Sequence, residues 1–493
     1  MRLLTDRADF FNDISEEIRL FLPSAELELT EASPDVDLDG TDGELISAML
    51  SNDGTSFRAE TRYFRDGAEF SYVYETPYRS ETRLIEKRYA KRCIKVSVFR
   101  CLRQAYPQAR LPWGSLTGIR PTRLWRELVS SEGRDGAERL MLSEFDVTAE
   151  KLRLAAEISD AQTPVLSSIG PNDTDVYIGI PFCRTRCLYC SFASQLRTKK
   201  TDMAAYLAAL ARDITHGAAM AREHGLRIRA LYLGGGTPTV LTARELERLI
   251  SHAVREYGIN SGTEFTVEAG RPDTITEEKL RVIRDMGVTR ISINPQTMCD
   301  ATLKSVGRDH TSSDIVDCFN MARRLGFDCI NMDLIAGLPG EDAASMQHSI
   351  DELMKLDPDC LTVHTLAVKR SSRLHEHLDE ITLPDVSEVE AMTAIGAEGA
   401  RRLGMIPYYM YRQKYMAGNM ENVGYSKPDK ICIYNIDMME DALSIIAHGA
   451  GAMTKRVFQS GGRIERVPNP KDISTYIAKL DATNEARIRL WNE

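Results

Sequence analysis

Three cysteines, Cys183, Cys187 and Cys190, lie within eight positions of the segment IGIPFCRTRCLYCSFAS. A closed zinc site takes four ligands, usually as two pairs, and no second pair of cysteines or histidines follows. A redox CxxC motif needs two thiols and leaves Cys183 without a use. Three thiolates are what a [4Fe–4S] cluster needs when one iron keeps an open position for a substrate or cosubstrate. The CxxxCxxC spacing therefore favours an iron–sulfur cluster over structural zinc or a dithiol site.

Further polar candidates follow the cysteines along the chain. A glycine triplet lies in LGGGTPT, where the absence of side chains lets backbone N–H and C=O groups approach a ligand closely. Single charged or amide side chains lie in VEAGRPD, INPQT, SVGRDHT and NMDLIAGLPGE. The residues concerned are Gly234, Gly235, Gly236, Thr237, Glu268, Gln296, Arg308 and Asp333. Each alone is typical of a turn or a surface, but their succession suggests one site.

Six short apolar runs must position these residues, and they predict strands. Several are too apolar for a sheet face that is open to water. They are 176–180, 230–235, 264–269, 290–294, 329–337 and 360–366. With helices between them, they predict an α/β fold with a parallel sheet, either open and doubly wound or part of a barrel. In both arrangements the active site lies at the carboxyl ends of the strands, where the motifs fall.

Helical patterns with capping signals separate the strands. Thr201 and Asp202 are candidate N-caps of one helix and Thr276 is that of another, and Gly225 and Gly287 follow the last turns of the same two helices. The predicted helices are 82–105, 134–161, 201–225, 243–257, 274–287, 313–325 and 342–355.

The pattern also divides the chain into domains. Residues 1–165 mix β-rich pieces with helices and predict an amino-terminal α+β accessory domain. A polar linker at 166–174 leads into the regular core at 175–385. The regular period then stops, and 386–493 are expected to be a C-terminal extension that covers the active site.

The composition is that of a water-soluble globular protein, with 43% apolar and 27% charged residues. The sequence shows neither a secretory signal nor a membrane span, so we expect a cytoplasmic protein. Its net charge of −10 argues against general nucleic-acid binding. The one basic run, at 86–100, is interpreted as an exposed helix face. Seven isolated cysteines are interpreted as buried thiols: Cys93, Cys101, Cys299, Cys318, Cys329, Cys360 and Cys432.

The segment CLYC, with an aromatic residue before the last cysteine, resembles the radical S-adenosylmethionine (SAM) superfamily. The resemblance implies a partial (β/α)6 TIM-like barrel and a [4Fe–4S] cluster on Cys183, Cys187 and Cys190. The open iron of such a cluster binds the amino and carboxylate groups of SAM, and the reduced cluster cleaves SAM to methionine and a 5′-deoxyadenosyl radical. The residues expected by position to bind SAM are the glycine triplet, Thr237, Glu268, Gln296, Arg308 and Asp333.

A closer resemblance is to the oxygen-independent coproporphyrinogen III oxidase-like group and its HemZ-type branch. VYIGIPFCRTRCLYCSF, GGGTPT, DLIAGLPGE and the distal YYMYRQKYMAGNMENVGY carry it, and WGSLTGIRPTRL at 113–124 extends it to the amino-terminal region. It implies oxidative decarboxylation of two propionates of coproporphyrinogen III to give protoporphyrinogen IX. A tetrapyrrole substrate, an external flavodoxin- or ferredoxin-type electron donor and a monomeric state are expected. Tyr177, Tyr189 and Met453 are expected beside SAM.

Two positions depart from the pattern of this group. Gly179 stands where many relatives have histidine, and Cys190-Ser191-Phe192 replaces the C-x-C of established decarboxylases. The phenylalanine is similar to the haem-carrying chaperones of the family, which leaves a haem chaperone as an alternative function. The RHN triplet of those chaperones has no counterpart in IYNIDMM at 433–439. Another radical SAM enzyme of tetrapyrroles, such as one that opens haem, is a third possibility.

The carboxylates of a propionate-rich substrate require cationic or donor groups. Candidates are Arg370, Arg373, Arg412 and Gln413. The polar segment 419–429, after an aromatic piece that resembles a helix, is interpreted as a lid over the site or as a surface turn.

Overall fold

The computed structural model describes residues 1–31, 44–118, 120–192, 194–413, 416, 419–458 and 462–493. Part of the predicted β-rich region (32–43), position 119 of the amino-terminal motif and positions 414, 415, 417 and 418 of the distal motif lie outside the described residues. The chain divides into two compact units, Met1–Ala156 and Glu157–Glu493.

A five-stranded sheet organises the first unit, in the order β2-β1-β3-β4-β5. Its strands are β1 (Arg2–Thr5), β2 (Glu28–Glu31), β3 (Leu45–Asn52), β4 (Ser56–Arg65) and β5 (Ala68–Pro77). β1 is parallel to both of its neighbours, whereas β3, β4 and β5 form an antiparallel meander. Helices α1 (Phe11–Phe21) and α2 (Arg83–Ala105) contribute Ile14, Ile18 and Ile94 to a core with this sheet, which confirms the predicted helix at 82–105.

Two helices replace the single helix predicted at 134–161. α3 (Pro121–Ser143) and α4 (Ala149–Ser167) are separated at Asp146, whose φ of +55° is a left-handed conformation that no α-helix continues. The basic run lies in α2, where Lys91, Arg92 and Lys95 are half-buried. The expectation of an exposed helix face is therefore wrong for these three residues.

An eleven-stranded sheet forms the centre of the second unit, in the order β14-β15-β13-β12-β11-β10-β9-β6-β16-β17-β18. All six predicted core strands are present and run parallel to one another. They are β6 (Asp173–Ile180), β9 (Arg227–Gly235), β10 (Glu264–Gly270), β11 (Arg290–Ile293), β12 (Ile330–Ala336) and β13 (Cys360–Thr365). This mixed α/β architecture is the partial TIM-type barrel expected for a radical SAM core.

The predicted helices of the core are confirmed. They are α5 (Met203–Glu223), α6 (Ala243–Tyr257), α7 (Glu277–Asp285), α8 (Asp300–Ser305, not predicted), α9 (Ser312–Arg324) and α10 (Ala343–Leu356). The side chains of Asp202 and Thr276 cap α5 and α7 by accepting hydrogen bonds from backbone N–H groups of the first turn. Each cap fixes the residue at which its helix begins, and therefore the length of the loop that connects the preceding strand to that helix.

The residues after 385 extend this sheet at both edges. β15 (Asn422–Ser426) lies antiparallel to β13, and β14 (Ile406–Tyr411) lies antiparallel to β15 at the outer edge. At the other edge β16 (Ser444–His448) lies parallel to β6 and is followed by β17 (Met453–Val457) and β18 (Ile464–Pro468). Helix α11 (Arg373–Glu376) ends the core, and the helices after 385 are α12 (Val386–Arg402), α13 (Ile433–Met439), α14 (Ile473–Ala478) and α15 (Leu480–Asn492).

The predicted lid and the helix-like piece before it are both wrong. Every residue of β15 is buried, and the aromatic piece is strand β14. Asn422 explains why a polar sequence is buried here: its amide oxygen accepts the N–H of Thr365 at 2.9 Å and its amide nitrogen donates to the carbonyl of Tyr411. The polar side chain thus joins three strands of the sheet.

Six of the seven isolated cysteines are buried, as predicted, and Cys299 is half-exposed. None of the helices within the described ranges is long and apolar enough to cross a membrane.

Candidate active site

The loop that carries the three cysteines follows β6 and is fixed to several neighbouring loops. The N–H of Leu188 donates to the carbonyl of Val306 at 2.9 Å, and its own carbonyl accepts the N–H of Leu374 at 2.9 Å. The side chains of Leu188 and Tyr189 pack against a cluster of buried apolar residues that includes Val306, Ile335 and Leu374. The loop is therefore held over the carboxyl ends of the parallel strands.

Charged side chains anchor the same loop at two further points. Arg184 donates to the carbonyl of Asp273 at 2.8 Å, after β10, and Arg186 donates to the carbonyl of Ser371 at 2.8 Å, after β13. A pair of two-residue strands, β7 (Phe182–Cys183) and β8 (Gln195–Leu196), closes the base of the loop. The cysteines consequently have fixed backbone positions.

The three thiols are half-exposed, and two of them accept hydrogen bonds from side chains. The hydroxyl of Thr237 donates to Sγ of Cys183 at 3.5 Å, and Nη1 of Arg271 donates to Sγ of Cys187 at 3.5 Å. Burial raises the pKa of the Cys190 thiol, and the nearby Cys187 and Cys183 sulfurs add to that effect. The three sulfurs thus lie close enough to influence one another's charge.

Arg271 is the most important residue of the site that the sequence did not single out. Its buried guanidinium pairs with Asp273 at 2.9 Å and contacts the Cys187 sulfur, so it places a fixed positive charge beside the thiols. Its position directly after VEAG, at the end of β10, was the signal available in the sequence. A second cation, Lys369, lies near enough to Cys190 for the thiolate to raise its pKa against the larger lowering effect of burial.

The glycine triplet makes a close crossing of two backbone segments. The N–H of Gly236 donates to the carbonyl of Ile180 at 2.8 Å, and a Cβ at position 236 would lie 2.5 Å from the carbonyl oxygen of Phe182. Gly235 has a φ of +108°, which favours glycine. A Cβ at Gly234 would lie 2.9 Å from the Glu268 carboxyl carbon. The triplet therefore brings the turn against the cysteine loop and leaves room for an acidic side chain.

Glu268 is a half-buried carboxyl near the end of β10. Tyr232 donates a hydrogen bond to its Oε1 at 2.6 Å. Burial raises the pKa of Glu268 to about 7, with a further contribution from Asp333. At neutral pH this carboxyl is therefore poised between its two protonation states, and a bound cation would stabilise the charged form.

Three stacked tyrosines lie beside Glu268. The ring centroids of Tyr232 and Tyr434 are 4.5 Å apart, and Tyr177 stacks on Tyr232 at 6.2 Å. Tyr434 comes from α13, far along the chain, and no local signal in the sequence indicated its position. The stack provides a rigid aromatic wall, because tyrosine has few rotatable bonds.

Asp333 lies in the middle of β12, next to β13. It accepts a hydrogen bond from Asn331 at 2.8 Å, and Nε2 of His364 lies 3.7 Å from its Oδ2. Burial opposes ionisation, but the contacts with His364, Asn331 and Thr362 together lower the pKa of Asp333, so this carboxyl is ionised at neutral pH. Tyr411 contacts Nδ1 of the same histidine at 3.4 Å. Asp333 and Glu268 therefore have pKa values shifted in opposite directions.

Gln296 and Arg308 lie after β11. Gln296 has a φ of +69°, and its backbone N–H and carbonyl bond to Asp333 and Ile335 of the adjacent strand. Arg308 is buried and donates to the carbonyls of Asn294 and Pro295 at 2.9 and 3.1 Å. Its Nε has no hydrogen-bond partner among the described residues. These two hydrogen bonds of Arg308 stabilise the turn after β11.

The remaining predicted site residues lie at different depths. Tyr189 is half-buried beside Cys187, whereas Met453 begins β17, two strands from β6, with 46% of its surface exposed. Arg370 and Arg373 are exposed after β13, and Arg412 is buried with its guanidinium donating to the carbonyl of Asn419. The structure groups the glycine turn, Glu268 and the cysteine loop, which includes Tyr189, more tightly than it groups Met453 and these three arginines.

The donor set of the loop fits an iron–sulfur cluster. Within the described ranges, no three or more histidine, cysteine or acidic side chains are arranged around a single metal ion. In a cluster each thiolate binds a different iron, so such an arrangement is not required. Half-exposed sulfurs with hydrogen-bond donors and cations beside them suit thiolates of a negatively charged cluster.

Comparisons with known proteins agree with this geometry. The radical SAM superfamily model matches residues 177–353. Proteins of this superfamily use a [4Fe–4S] cluster and SAM. The chain is 38% identical over 397 residues to the oxygen-independent coproporphyrinogen-III oxidase-like protein HemZ of Bacillus subtilis, which covers 80% of this chain and 79% of that protein.

Two further relatives match smaller parts. The heme chaperone HemW of Bacillus subtilis is 36% identical over 195 residues, 39% of this chain and 50% of that protein. The structure of the coproporphyrinogen III oxidase HemN from Escherichia coli superposes with a TM-score of 0.52 at 21% sequence identity, covering 66% of this chain and 73% of that one. The latter is a likeness of fold.

Proposed function

Because the chain belongs to the radical SAM superfamily and, within it, to the oxygen-independent coproporphyrinogen-III oxidase-like family, we propose that it decarboxylates two propionates of coproporphyrinogen III to give protoporphyrinogen IX. Each propionate loses carbon dioxide, one β-hydrogen atom and one electron, and becomes a vinyl group. The main support is the similarity to the HemZ protein over four-fifths of the chain, combined with three half-exposed thiols on an anchored loop at the carboxyl ends of the sheet.

In this proposal Cys183, Cys187 and Cys190 hold a [4Fe–4S] cluster whose open iron binds SAM. When bound, the cluster and SAM supply a 5′-deoxyadenosyl radical as the hydrogen-abstracting species. Arg271 and Lys369 balance the negative charge of the thiolates, because an unpaired charge in a half-buried site is costly.

The residues around the glycine turn are assigned to SAM. Glu268 would bind its cationic part, which would lower the pKa of that carboxyl from about 7 and fix it in the charged form. The turn at 234–236 and the hydroxyl of Thr237 would offer polar groups, and Tyr177 would form part of the wall. Gln296, Arg308, Asp333, Tyr189 and Met453 remain assigned to the same site by their positions along the sheet.

The chain's own residues would also hold the substrate. Beyond Asp333, His364 on β13 and Tyr411 on β14 lie five and seven strands from β6, the strand that the cysteine loop follows, in the sheet order. Arg370 and Arg373 are exposed after β13, where their guanidinium groups could receive propionates as bidentate partners. An external flavodoxin- or ferredoxin-type protein would supply the electron that reduces the cluster, and a separate one-electron acceptor would take the electron that each propionate loses.

One anaerobic incubation tests the assignment. Reconstituted protein, SAM and a strong reductant are mixed with coproporphyrinogen III, and the products are followed by mass spectrometry, with Cys187→Ser as the control. We expect 5′-deoxyadenosine and a porphyrinogen lighter by one carbon dioxide and two hydrogens for each propionate converted. Deoxyadenosine with unchanged porphyrinogen would contradict the substrate assignment.

Haem delivery to apoproteins is the second candidate. Phe192, which follows Cys190-Ser191 where decarboxylases of the family have a second cysteine, is 69% exposed, and the chaperone HemW is 36% identical over part of the chain. A carrier protein would expose an apolar residue at its loading site. Purified protein that retains haem and transfers it to an apoprotein, without forming protoporphyrinogen IX, would favour this function.

A further inference from the structure

A basic cavity of about 410 Å³ lies in the first unit, and nothing in the proposed reaction uses it. It lies between one side of α2, the segment 115–118 and the start of α3. The described lining carries two acidic side chains, Asp13 and Glu127, and six basic ones: Arg88, Lys91, Arg92, Lys95, Arg120 and Arg123. Its size is in the range of small-molecule binding sites.

The acidic groups do not balance these cations. Glu127 is shared, because Arg88 lies 3.1 Å and Arg123 lies 3.2 Å from its carboxylate oxygens. Lys91 pairs with Asp13 at 2.5 Å. Arg88 and Arg123 therefore have one carboxylate between them, which leaves a positive excess on this wall of the cavity.

Lys95 belongs to a hydrogen-bonded ion-pair network in the wall of the cavity. Its ammonium lies 3.1 Å from the buried carboxylate of Glu17 and contacts the hydroxyl of Thr117, which itself donates to Glu17 at 3.0 Å. Burial raises the pKa of Glu17 to about 7, so this counter-charge is only partly present at neutral pH. The network fixes Thr117 on the cavity wall.

Arg92 is the residue that points most strongly to a ligand. Its guanidinium carbon lies 5.0 Å from the ring centroids of both Tyr89 and Phe145. Over the ranges that the structure describes, it makes neither a hydrogen bond nor an ion pair with an acidic side chain. Burial lowers the pKa of Arg92 and the neighbouring Arg88 lowers it further, while the charge of Glu127, which is not in ion-pair contact with Arg92, opposes the shift. A half-buried cation without a directly bonded acidic partner is costly unless an anion completes the site.

The other walls suit an organic molecule that carries phosphate groups. α3 begins at Pro121 beside the cavity and stays helical up to Gly133, whose φ of +73° interrupts it, and the positive end of a helix dipole favours phosphate. Planar guanidinium groups bind phosphate in bidentate fashion. Val96, Leu124 and Phe145 add apolar surface for a base or a similar ring.

We propose that this cavity binds the phosphate groups of a small molecule of nucleotide size, independently of the SAM site in the second unit. Two sources of that chemistry, a nucleoside triphosphate and an inorganic phosphate chain, are separable by experiment. A single-stranded nucleic acid is a different class of ligand and is treated as an alternative outcome.

The test uses the full-length protein with its cluster and with saturating SAM, so that an adenine nucleotide cannot bind in place of SAM. Binding of ATP, tripolyphosphate and a ten-nucleotide RNA is measured by calorimetry for the wild type, Arg92→Gln and Arg123→Gln. Arg83→Gln is the matched control, since Arg83 is an exposed residue of α2 outside the cavity. Thermal melting checks that each variant is folded.

We expect ATP to bind and the two cavity variants to bind it at least tenfold more weakly, with the control unchanged. Tripolyphosphate binding as tightly as ATP would identify a phosphate chain as the source, and weaker binding would identify a nucleotide. Three results would overturn the proposal: no binding of ATP or tripolyphosphate, ATP binding by both cavity variants as tight as that of the wild type, or binding of the RNA alone.

Discussion

Two carboxylates of the same unit, the buried Asp213 and the half-buried Glu268, have opposite environments. Asp213, in α5, accepts hydrogen bonds from Arg487 at 2.9 Å, from Tyr476 at 2.7 Å and from the N–H of Gly449 at 3.1 Å. His448 Nδ1 lies 3.0 Å from its Oδ1. Although burial opposes it, this set of donors, Arg487 foremost, lowers the pKa of Asp213 well below its usual range.

Glu268 lies at the end of the sheet where the cysteine loop is attached, and it accepts far fewer hydrogen bonds than Asp213 does. Over the described ranges, Tyr232 provides the one side-chain hydrogen bond that it accepts, and burial raises its pKa to about 7. A carboxyl that only holds the fold together is satisfied within the protein, as Asp213 is. A carboxyl left short of partners in a half-buried site is what a ligand-binding residue requires.

The largest effect is expected at the cysteine loop, because the proposed role of Glu268 in SAM binding depends on the cluster that this loop would hold. Cys187→Ser should remove the cluster and abolish SAM cleavage, because serine does not replace a thiolate ligand of iron effectively. Iron content and 5′-deoxyadenosine yield measure this. Cys299→Ser, a change of a half-exposed cysteine outside the loop, is the control and should keep both at the wild-type level.

Asp213→Asn tests the carboxylate whose hydrogen bonds are satisfied within the protein. The change leaves the buried Arg487 without its counter-charge, so the free energy of unfolding should fall by about 3–5 kcal/mol. Urea denaturation measures this loss. Asp481→Asn, which breaks the exposed pair with Arg212, should cost less than about 0.5 kcal/mol. Equal losses in the two variants would contradict the structural role of Asp213.

Glu268→Gln tests the carboxylate that has few hydrogen-bond donors. Glutamine keeps an acceptor for Tyr232 but removes the charge, so SAM affinity should fall by about tenfold to a hundredfold. The apoprotein should become more stable at pH 8, by about 2 kcal/mol, since the ionised carboxyl is disfavoured by burial. A variant that loses stability at pH 8 while binding SAM normally would reverse the assignment.

The two carboxyls should also show opposite dependence on pH. Asp213 has a lowered pKa in the folded state, so its stabilisation is present above 3.8, its ordinary value, and is lost as the pH falls through the folded value. Glu268 has a raised pKa, so its destabilisation is full above about 7 and disappears as the pH falls to 4.5. Stability of the wild type and both variants between pH 4.5 and 8 measures these slopes. The advantage of Glu268→Gln should shrink as the pH falls in that range, whereas the loss in Asp213→Asn should persist.

The smallest effect is expected at Arg271. Removing its positive charge next to Cys187 in Arg271→Gln should leave iron bound but make the reduction potential of the cluster more negative, by roughly 20–60 mV. Spectroelectrochemistry of the reconstituted protein measures the potential. Arg281→Gln, at an exposed position of α7, serves as the comparison and should not shift it.

The parallel core could be predicted from the sequence because its strands are buried on both faces and read as continuous apolar runs, as in 329–337 for β12. The cysteine loop could be predicted equally well, since its three thiols lie in one short segment of the sequence. Asp202 and Thr276 fixed two helix starts by a local rule of capping chemistry.

What the sequence did not indicate depends on contacts between distant segments. β15 looked like a polar lid because Asn422 and its neighbours are polar, yet the amide is satisfied inside the sheet by Thr365 and Tyr411. Tyr434 reaches the site from α13, and Asp213 meets Arg487 across 274 positions of the chain. Hydrophobic periodicity reports burial but not which partner a polar side chain meets.

The most direct test of the proposed reaction follows a single hydrogen atom. Coproporphyrinogen III deuterated at the propionate β-carbons is incubated anaerobically with reconstituted protein, reductant and SAM, and the 5′-deoxyadenosine is examined by mass spectrometry. The proposal predicts deuterium in the deoxyadenosine together with a vinyl-bearing porphyrinogen. Deoxyadenosine free of deuterium, formed at the same rate without the porphyrinogen, would contradict it.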